Sequence, residues 1–310
     1  MTAPRVGLVT VLYNSTGVLP DFFESLAQQD YPDFGLYVID NSPDDASLRV
    51  AKALGNKHGF RTLSFVRNDE NLGVAAANNQ GIRLCLEAGC EYILLLNNDI
   101  QFPDPTLLSR MVGLADDEAE NMIVPKIYYH DTGRIWCAGG RFNHWRGNAT
   151  HYGNRKRDGH SFAVEGYTDY SPTCFMLIRR KVFQTVGLMD ERFFVYYDDC
   201  DFVWRANKAG FKIRFWPKGK IWHKVSSSTG GTESLFSIYY STRNRIFFIR
   251  KHFDLVHKVA AIAVVLATRA IKTAYYDWGK RARMWQALKD GFSVPLNSGE
   301  PQQWPEQGDC

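Results

Sequence analysis

Glu91-Tyr-Ile-Leu-Leu-Leu-Asn97-Asn98-Asp99 is an apolar run of strand length that stops on three polar side chains, the last of them an acid. Upstream of it, Val74 to Ala88 carries a helical pattern closed by Gly89, and Arg61 to Arg67 reads as extended. Before these come a helix over Ala46 to Leu54 that stops at Gly55, a strand over Phe34 to Asp40, and a β-branched buried strand over Val6 to Tyr13. Asn14-Ser15-Thr16 offers caps, and Pro20 a first-turn residue, for a helix that ends before Tyr31-Pro32. Four strands separated by three helices make successive βαβ units. Such units form a parallel sheet with right-handed crossovers and bind ligands at the carboxyl ends of the strands.

The residues that follow each strand are therefore the ones to inspect, and all are polar: Tyr13-Asn14-Ser15, Asp40-Asn41-Ser42, Arg67-Asn68-Asp69-Glu70-Asn71 and Asn97-Asn98-Asp99. After residue 100 the alternation is irregular. Strand candidates near Met122 to Tyr128, Phe175 to Ile178, Phe193 to Tyr197 and Lys212 to Trp216 predict mixed or antiparallel pairing. Gly139 to Gly159, rich in Gly, Asn, Arg and His, reads as a mobile loop. No internal repeat and no linker divides residues 1–252, and residues 253–310 read as a basic amphipathic helical tail.

Three places carry chemistry-bearing side chains. Asp99 puts a carboxylate at the sheet rim, where a hard divalent cation and the diphosphate it neutralises would sit, although Asn97 to Asp99 suit a plain turn equally well. Phe193-Phe-Val-Tyr-Tyr-Asp198-Asp199-Cys200-Asp201 opens a helical stretch with three carboxylates in four residues, more than a cap and the helix dipole need. Crowding raises the cost of ionising all of them and can tune one into a general base; an acidic first helical turn on the surface is the plainer reading. His223 ends an apolar strand ahead of Lys224-Val-Ser-Ser-Ser-Thr-Gly-Gly231, where it could close a metal site, touch a phosphate or simply pack.

The 310 residues, 45% hydrophobic and 23% charged, are too apolar for a disordered chain and suit one enzyme-sized domain. The net charge of +4 is unevenly spread: Trp204 to Asp290 holds 18 Lys and Arg against 4 Asp and Glu, or +14, which leaves −10 elsewhere. That stretch predicts an anionic partner, with nucleic acid, acidic lipid and phosphorylated substrate all allowed. The six cysteines have neither zinc-site spacing nor disulfide density, which fits a reducing compartment. Met1-Thr-Ala-Pro-Arg5 shows no leader, and the longest apolar run, Val259 to Ala267, is nine residues, against the ~20 a membrane span needs.

The ordered set Tyr13-Asn14, Val38-Ile-Asp40-Asn41-Ser42, Asn71-Leu-Gly73 through Asn79-Gln-Gly81, Leu96-Asn97-Asn98-Asp99, Cys174-Phe-Met-Leu-Ile-Arg179-Arg180, Asp198-Asp199-Cys200-Asp201 and a late His223 resembles the family 2 inverting glycosyltransferases of GT-A fold. The resemblance covers roughly residues 5 to 252. Within that family it is most similar to bacterial rhamnosyltransferases of O-antigen and cell-wall assembly, then to galactofuranosyltransferases, and Tyr239-Tyr240-Ser-Thr-Arg243-Asn244 fits the first group. It implies an α/β GT-A fold, Rossmann-like, with a mixed sheet. Tyr13 and Asp40 would lie against base and ribose, and Asn71, Gly73 and Asn79 would line the donor pocket. Asp99 and His223 would hold Mg2+ or Mn2+, and Asp199 would be the base. Asn97 stands where the common Asp-x-Asp motif has its first acid, one charge fewer for the metal; Asn97 and Asn98 then serve the nucleotide.

The implied donor is a nucleotide sugar, dTDP-rhamnose first and a UDP-hexose or galactofuranose second; the implied acceptor is a polyprenol-linked saccharide or polysaccharide. Leu255, Val259, Ile262, Ala263, Leu266 and Ala270 recur at helical spacing beside Lys258, Arg269 and Lys272, and Tyr275, Tyr276, Trp278 and Trp285 follow. That composition suits an anionic membrane surface, hence a cytoplasmic protein peripheral on the inner face, and equally a helix packed on the domain or a homodimer contact. Arg243, Arg245, Arg250 and Lys251 are candidates for the acceptor diphosphate, and Asp198 and Trp222 are further candidates for the acceptor or its phosphate. Three rivals are weaker. A nucleotidyltransferase would want a basic phosphate loop after the first strand, where Tyr13-Asn-Ser-Thr-Gly17 stands. A degenerate glycan-binding scaffold would not need Asp99, Asp199 and His223. No nucleic-acid partner is expected, because no groove-reading module accompanies the charge.

Overall fold

A computed structural model describes residues 6–224 and 233–297. The Ser and Gly residues that follow Lys224 and the residues beyond Asn297 lie outside the described residues. The first half follows the expected alternation: β1 (Val6–Leu12), α1 (Leu19–Ala27), β2 (Phe34–Asp40), α2 (Ala46–His58), β3 (Thr62–Arg67), α3 (Gly73–Glu87) and β4 (Tyr92–Leu96). These strands are parallel in the order β4-β1-β2-β3. The register pairs Leu12 with Asp40 and Asp40 with Arg67, so Tyr13, Asp40 and the Asn68–Asn71 segment emerge along one edge. Side-chain alternation gives the sheet two dry faces. Val9, Tyr37 and Leu95 pack with the α3 side, while Leu8, Leu36 and Leu94 pack under Phe22, Phe23 and Leu108.

The second half adds β5 (Ile100–Gln101), α4 (Leu107–Asp117), β6 (Met122–Tyr129), β7 (Ile135–Cys137), β8 (Gly140–Asn143), β9 (Asn148–His151), β10 (Gly166–Thr168), β11 (Phe175–Arg179), α5 (Arg180–Val186), α6 (Asp198–Lys208) and β12 (Ile213–His223). The sheet continues from β4 through β11, β6, β12 and β10. β11 is antiparallel to both β4 and β6, which makes the sheet mixed. Three helices close the chain: α7 (Leu235–His252), α8 (Leu255–Thr273) and α9 (Trp278–Ser293). Asp254 and Asp277 cap the last two through their carboxylates. α9 folds back on α7, with Tyr239 donating to Asp290 at 2.7 Å, and Ala261, Val265 and Leu288 join the main core. No helix among the described residues is long and apolar enough to cross a membrane.

Four local expectations are corrected. Phe193 to Tyr197 is not a strand: a 3-10 turn over Glu191–Phe193 leads into Phe194, Tyr196 and Tyr197, all at positive φ. Gly139 to Gly159 holds the β8–β9 hairpin, ordered because Phe142 stacks on Phe248 and meets Trp204 edge-on and because Gly147, at φ +66°, sits on Ile249 and Ala261. Gly55 does not stop α2; a Cβ there would fall 2.3 Å from Leu63, so this glycine lets the helix lie close on β3, and Gly59, at φ +65°, ends it. Ser15 does not cap α1, because its hydroxyl accepts from Tyr13 N and its own N–H donates to Ser47.

Candidate active site

Asp40 is fully buried at the end of β2. One carboxylate oxygen accepts from Ser42 N at 3.0 Å and the other has no hydrogen-bond partner, an expensive arrangement unless a ligand donates to it. Tyr13, at the adjacent end of β1, is 36% exposed. Behind them Asn41 links the strand ends: its amide donates to Asn71 Oδ1 and Gly73 O and accepts from Asn68, which pairs reciprocally with Gln80. Gly73 adopts φ +84°, and a Cβ on it would strike Phe194, so the start of α3 lies directly against the segment that precedes α6. Asn79 is bound to Met189 backbone N and O and to Glu191 Oε1, all at 2.9 Å. Both its amide groups hold this segment, a positioning part distinct from the pocket wall expected for it.

At the end of β4, Asn97 is exposed, and Asn98 is buried and ties β4 to Val11 O of β1. β5 pairs with β12 so that Ile100 faces His223, and this register brings His223 Nε2 to 3.0 Å from Asp99 Oδ1. Two neighbouring ligands on an octahedral cation with ~2.1 Å bonds lie ~3 Å apart, so the pair fits a divalent metal whose other ligands come from diphosphate and water. The Nδ1 of His223 is buried without a hydrogen-bond partner, and Trp136 presses edge-on against the ring at 4.7 Å.

Trp136 also packs at 4.7 Å on His151, which stacks on Tyr170, and the Tyr170 hydroxyl donates to Asp199 Oδ2 at 2.5 Å. A continuous aromatic wall thus joins the Asp99–His223 pair to Asp199. Burial, above all, pushes the Cys174 thiol well up. Burial, above all, keeps His151 below the usual histidine range, and it stands neutral at pH 7.

The segment that delivers Asp199 is clamped from α7. Asn244, fully buried, directs its amide nitrogen at the carbonyls of Phe193 (2.6 Å), Val195 (2.8 Å) and Tyr196 (2.9 Å), which holds the positive-φ turn in place. Asp201 is not a site acid. It is fully buried against Arg205 (2.8 Å), Lys251 (2.5 Å) and His252 (2.7 Å); burial alone would raise it, but the Arg205 charge, the His252 hydrogen bond and Lys251 hold it well below the usual carboxylate range. Asp198 is buried too, its carboxyl pushed up by burial and by the Asp199 charge.

The expected diphosphate cluster does not form as expected. Lys251 joins Asp190 and Asp201 inside, and Arg250 donates to Gly291 O and Val294 O at the end of α9. Arg243 donates to Arg192 O and Arg245 to Arg146 O, on different sides of α7, as residues two apart on a helix must lie. Trp222 faces away from His223, as strand neighbours do, and stacks on Tyr128 at 5.6 Å. Tyr170, His151, Trp136 and the role of Asn244 were not legible, because their meaning depends on pairings across 15 to 87 residues.

This mixed sheet with acids at its strand ends is the architecture of GT-A glycosyltransferases. The chain superposes on the mannosyltransferase PcManGT from Pyrobaculum calidifontis, solved with GDP-Man and Mn2+, with TM-score 0.59 and 15% identity over 94% of this chain and 87% of that one. The model of glycosyl transferase family 2 matches residues 8–187, and the chain belongs to that family. Among curated relatives it is 24% identical to the dTDP-rhamnosyl transferase RfbF of Shigella flexneri, over 66% of this chain and 72% of that one. It is 25% identical to the O-antigen biosynthesis protein RfbC of Myxococcus xanthus, over 73% of this chain. The chain spans 25% and 18% of the length of two of the relatives it matches.

Proposed function

We propose that the chain is a metal-dependent inverting glycosyltransferase that moves a sugar, with L-rhamnose from dTDP-rhamnose the favoured donor, onto a hydroxyl of a polyprenol-linked or polysaccharide acceptor in bacterial cell-surface glycan synthesis. The observation that carries this reading is the run of packed rings from His223, which faces Asp99, through Trp136 and His151 to Tyr170, which donates to Asp199. The unpartnered oxygen of Asp40, at the carboxyl end of β2, supports a nucleobase with a ring N–H there. The likeness to RfbF supports the deoxyhexose donor.

Asp40 and Tyr13 bind and orient the nucleotide. Asp99 and His223 are the groups that would hold Mg2+ or Mn2+, which when bound neutralises charge on the departing diphosphate. Asp199, oriented by Tyr170, takes the proton of the acceptor hydroxyl as that oxygen forms its bond to the anomeric carbon. The bond from that carbon to the nucleoside diphosphate breaks on the opposite face, and the configuration inverts. The exposed apolar residues of α8 support a peripheral position on an anionic cytoplasmic membrane face.

The test is incubation of the full chain with a panel of nucleotide sugars, including dTDP-rhamnose and UDP-hexoses, with Mn2+ and with a chelator, reading released nucleotide. Turnover with dTDP-rhamnose that the chelator abolishes is expected; preference for a UDP-sugar reassigns the donor. Absence of nucleotide release from every donor leaves a glycan-binding scaffold and removes the transferase reading.

A further inference from the structure

Phe194 stands in a backbone conformation that a bulky residue rarely takes. Its φ of 64° and ψ of −63° make a γ-turn of the rarer hand, closed by Val195 N donating to Phe193 O at 2.7 Å. Such a turn is costly and persists only where its surroundings hold it, here through Asn244 on the carbonyls of Phe193 and Val195. What the strain achieves is the placing of one ring. A Cβ on Gly73 would fall 2.6 Å from Phe194 Cδ2, and Phe194 O accepts from Val74 N at 2.5 Å, so the ring is set against the start of α3.

Two rings of α7 meet it there. Tyr240 stacks on Phe194 at 4.9 Å with 14° between the planes, Phe236 packs on Tyr240 at 4.8 Å, and Phe236 stands edge-on to Phe194 at 6.4 Å. The shelf so formed stays open to solvent: Phe194 and Tyr240 are half-buried, Phe236 is 36% exposed, and Leu235 beside it is 49% exposed. The preceding Phe193, by contrast, is fully buried. Contiguous apolar surface held open by a strained turn gains nothing for the fold and marks a place where a ligand is received.

We infer that Phe194, Phe236 and Tyr240 form the shelf on which the transferred sugar lies, and that they select a sugar with a methyl group where an ordinary hexose has a hydroxymethyl. This inference rests on the transferase reading above and names the side chains that set its donor. The position follows from contacts. At the donor end Gly73 N donates to Asn71 Oδ1, and Gly73 O accepts from Asn41. At the other end Asp199 follows Phe194 by five residues, in the first turn of α6. The sugar has to lie between the nucleotide and the base, and the segment that starts at Phe194 is what joins the two. The selectivity follows from the lining. Uncharged rings receive the C–H face of a pyranose by burying apolar surface, and a methyl group adds to that burial. A hydroxymethyl on the same rings loses water without gaining a partner; the nearby Tyr196 hydroxyl is already engaged with Ser237 Oγ at 3.0 Å.

Calorimetric titration of the full chain in Mn2+ with dTDP, dTDP-L-rhamnose and dTDP-L-mannose tests the assignment, because the two sugars differ only in methyl against hydroxymethyl. The rhamnose form is expected to bind about 10- to 100-fold more tightly than the mannose form. Phe194→Gln and Phe236→Gln should each bring that ratio close to one, with dTDP alone bound as in wild type. Phe236→Leu, which keeps the surface apolar, should preserve the ratio, and Phe292→Gln, at an exposed position of α9, should leave every affinity unchanged. If Phe194→Gln does not fold, Phe236→Gln decides, since its ring lies in the exposed first turn of α7. A wild type that binds both sugars equally, or neither more tightly than dTDP, would overturn the shelf, and so would a wild-type ratio in Phe236→Gln. An equal loss for dTDP and dTDP-L-rhamnose in that variant would make the rings a packing element and overturn their role toward the sugar. Nucleotide release is read separately. None from the wild type, with the binding ratio as expected, would refute the transferase reading and leave the shelf in place.

Discussion

Asp99 follows a five-residue strand buried along its whole length, and the β5–β12 pairing places its partner His223 by backbone register. Asp199 lies in the first turn of α6, after a segment in which Phe194, Tyr196 and Tyr197 all have positive φ and which three carbonyl contacts from Asn244 hold in shape. The first acid is positioned by the sheet and the second by side chains. Backbone ladders spread the cost of a substitution over many bonds, whereas a clamp concentrates it in one residue. On the proposed reading, in which Asp99 serves the donor and Asp199 the acceptor, the donor side should therefore tolerate change around its acid better than the acceptor side does.

The largest effect is expected at the second acid. Asp199→Asn should lower kcat by about 10²–10⁴, the usual worth of a positioned general base, with nucleotide affinity unchanged. Released nucleotide and a binding titration measure the two quantities, and turnover near wild type would remove Asp199 from the role. At the first acid the pattern reverses. Asp99→Ala should weaken donor binding about tenfold or more in Mn2+, and the difference from wild type should vanish in a chelator. A dissociation constant unchanged in Mn2+ would mean that no metal is held there.

Much of the donor side could be read in the chain itself, since period-2 apolar runs, their helical spacers and the polar residues after each strand are local features. Asp40, Asn97 and Asp99 were singled out that way, and each lies at or just past the end of a strand. The late histidine was legible as a position but not as a partner, because its contact depends on a two-residue strand, β5, too short to leave a pattern. The acceptor side was legible only as a cluster of acids. Asp198 and Asp201 are both buried, and nothing in Asp-Asp-Cys-Asp reveals that Arg205, Lys251 and His252 will meet Asp201. The hairpin read as a loop fails for the same reason, because its order comes from Phe248 and Ala261, a hundred residues away. Basic residues counted toward an anionic surface include Arg205 and Lys251, which neutralise acids inside.

The comparison sharpens at Asn244. Asn244→Ala leaves three carbonyls with one donor fewer and releases a strained turn, which should cost about 1–3 kcal/mol of stability, read as a lower denaturant midpoint. Transfer should fall several-fold more than nucleotide affinity, and Tyr170→Phe should do the same with a smaller loss of stability. Equal damage to both sides would show that the two acids are not held independently.

The smallest effect concerns Asp198, and its sign is opposite. Burial and the Asp199 charge raise the Asp198 carboxyl above its unfolded value of ~3.9. Above that value the folded chain binds a proton that the unfolded chain releases, so stability falls as pH rises, until the folded-state carboxyl itself ionises. Below pH ~4 both states are protonated and the penalty is gone. Asp198→Asn, which keeps the shape and cannot ionise, should therefore raise Tm by about 1–4 °C at pH 8, and by progressively less toward pH 4. A gain that is constant across this range would locate its cause in packing and not in the crowded charge. The expected slope would show that the fold accepts a standing cost in stability to keep two carboxyls together at the start of α6.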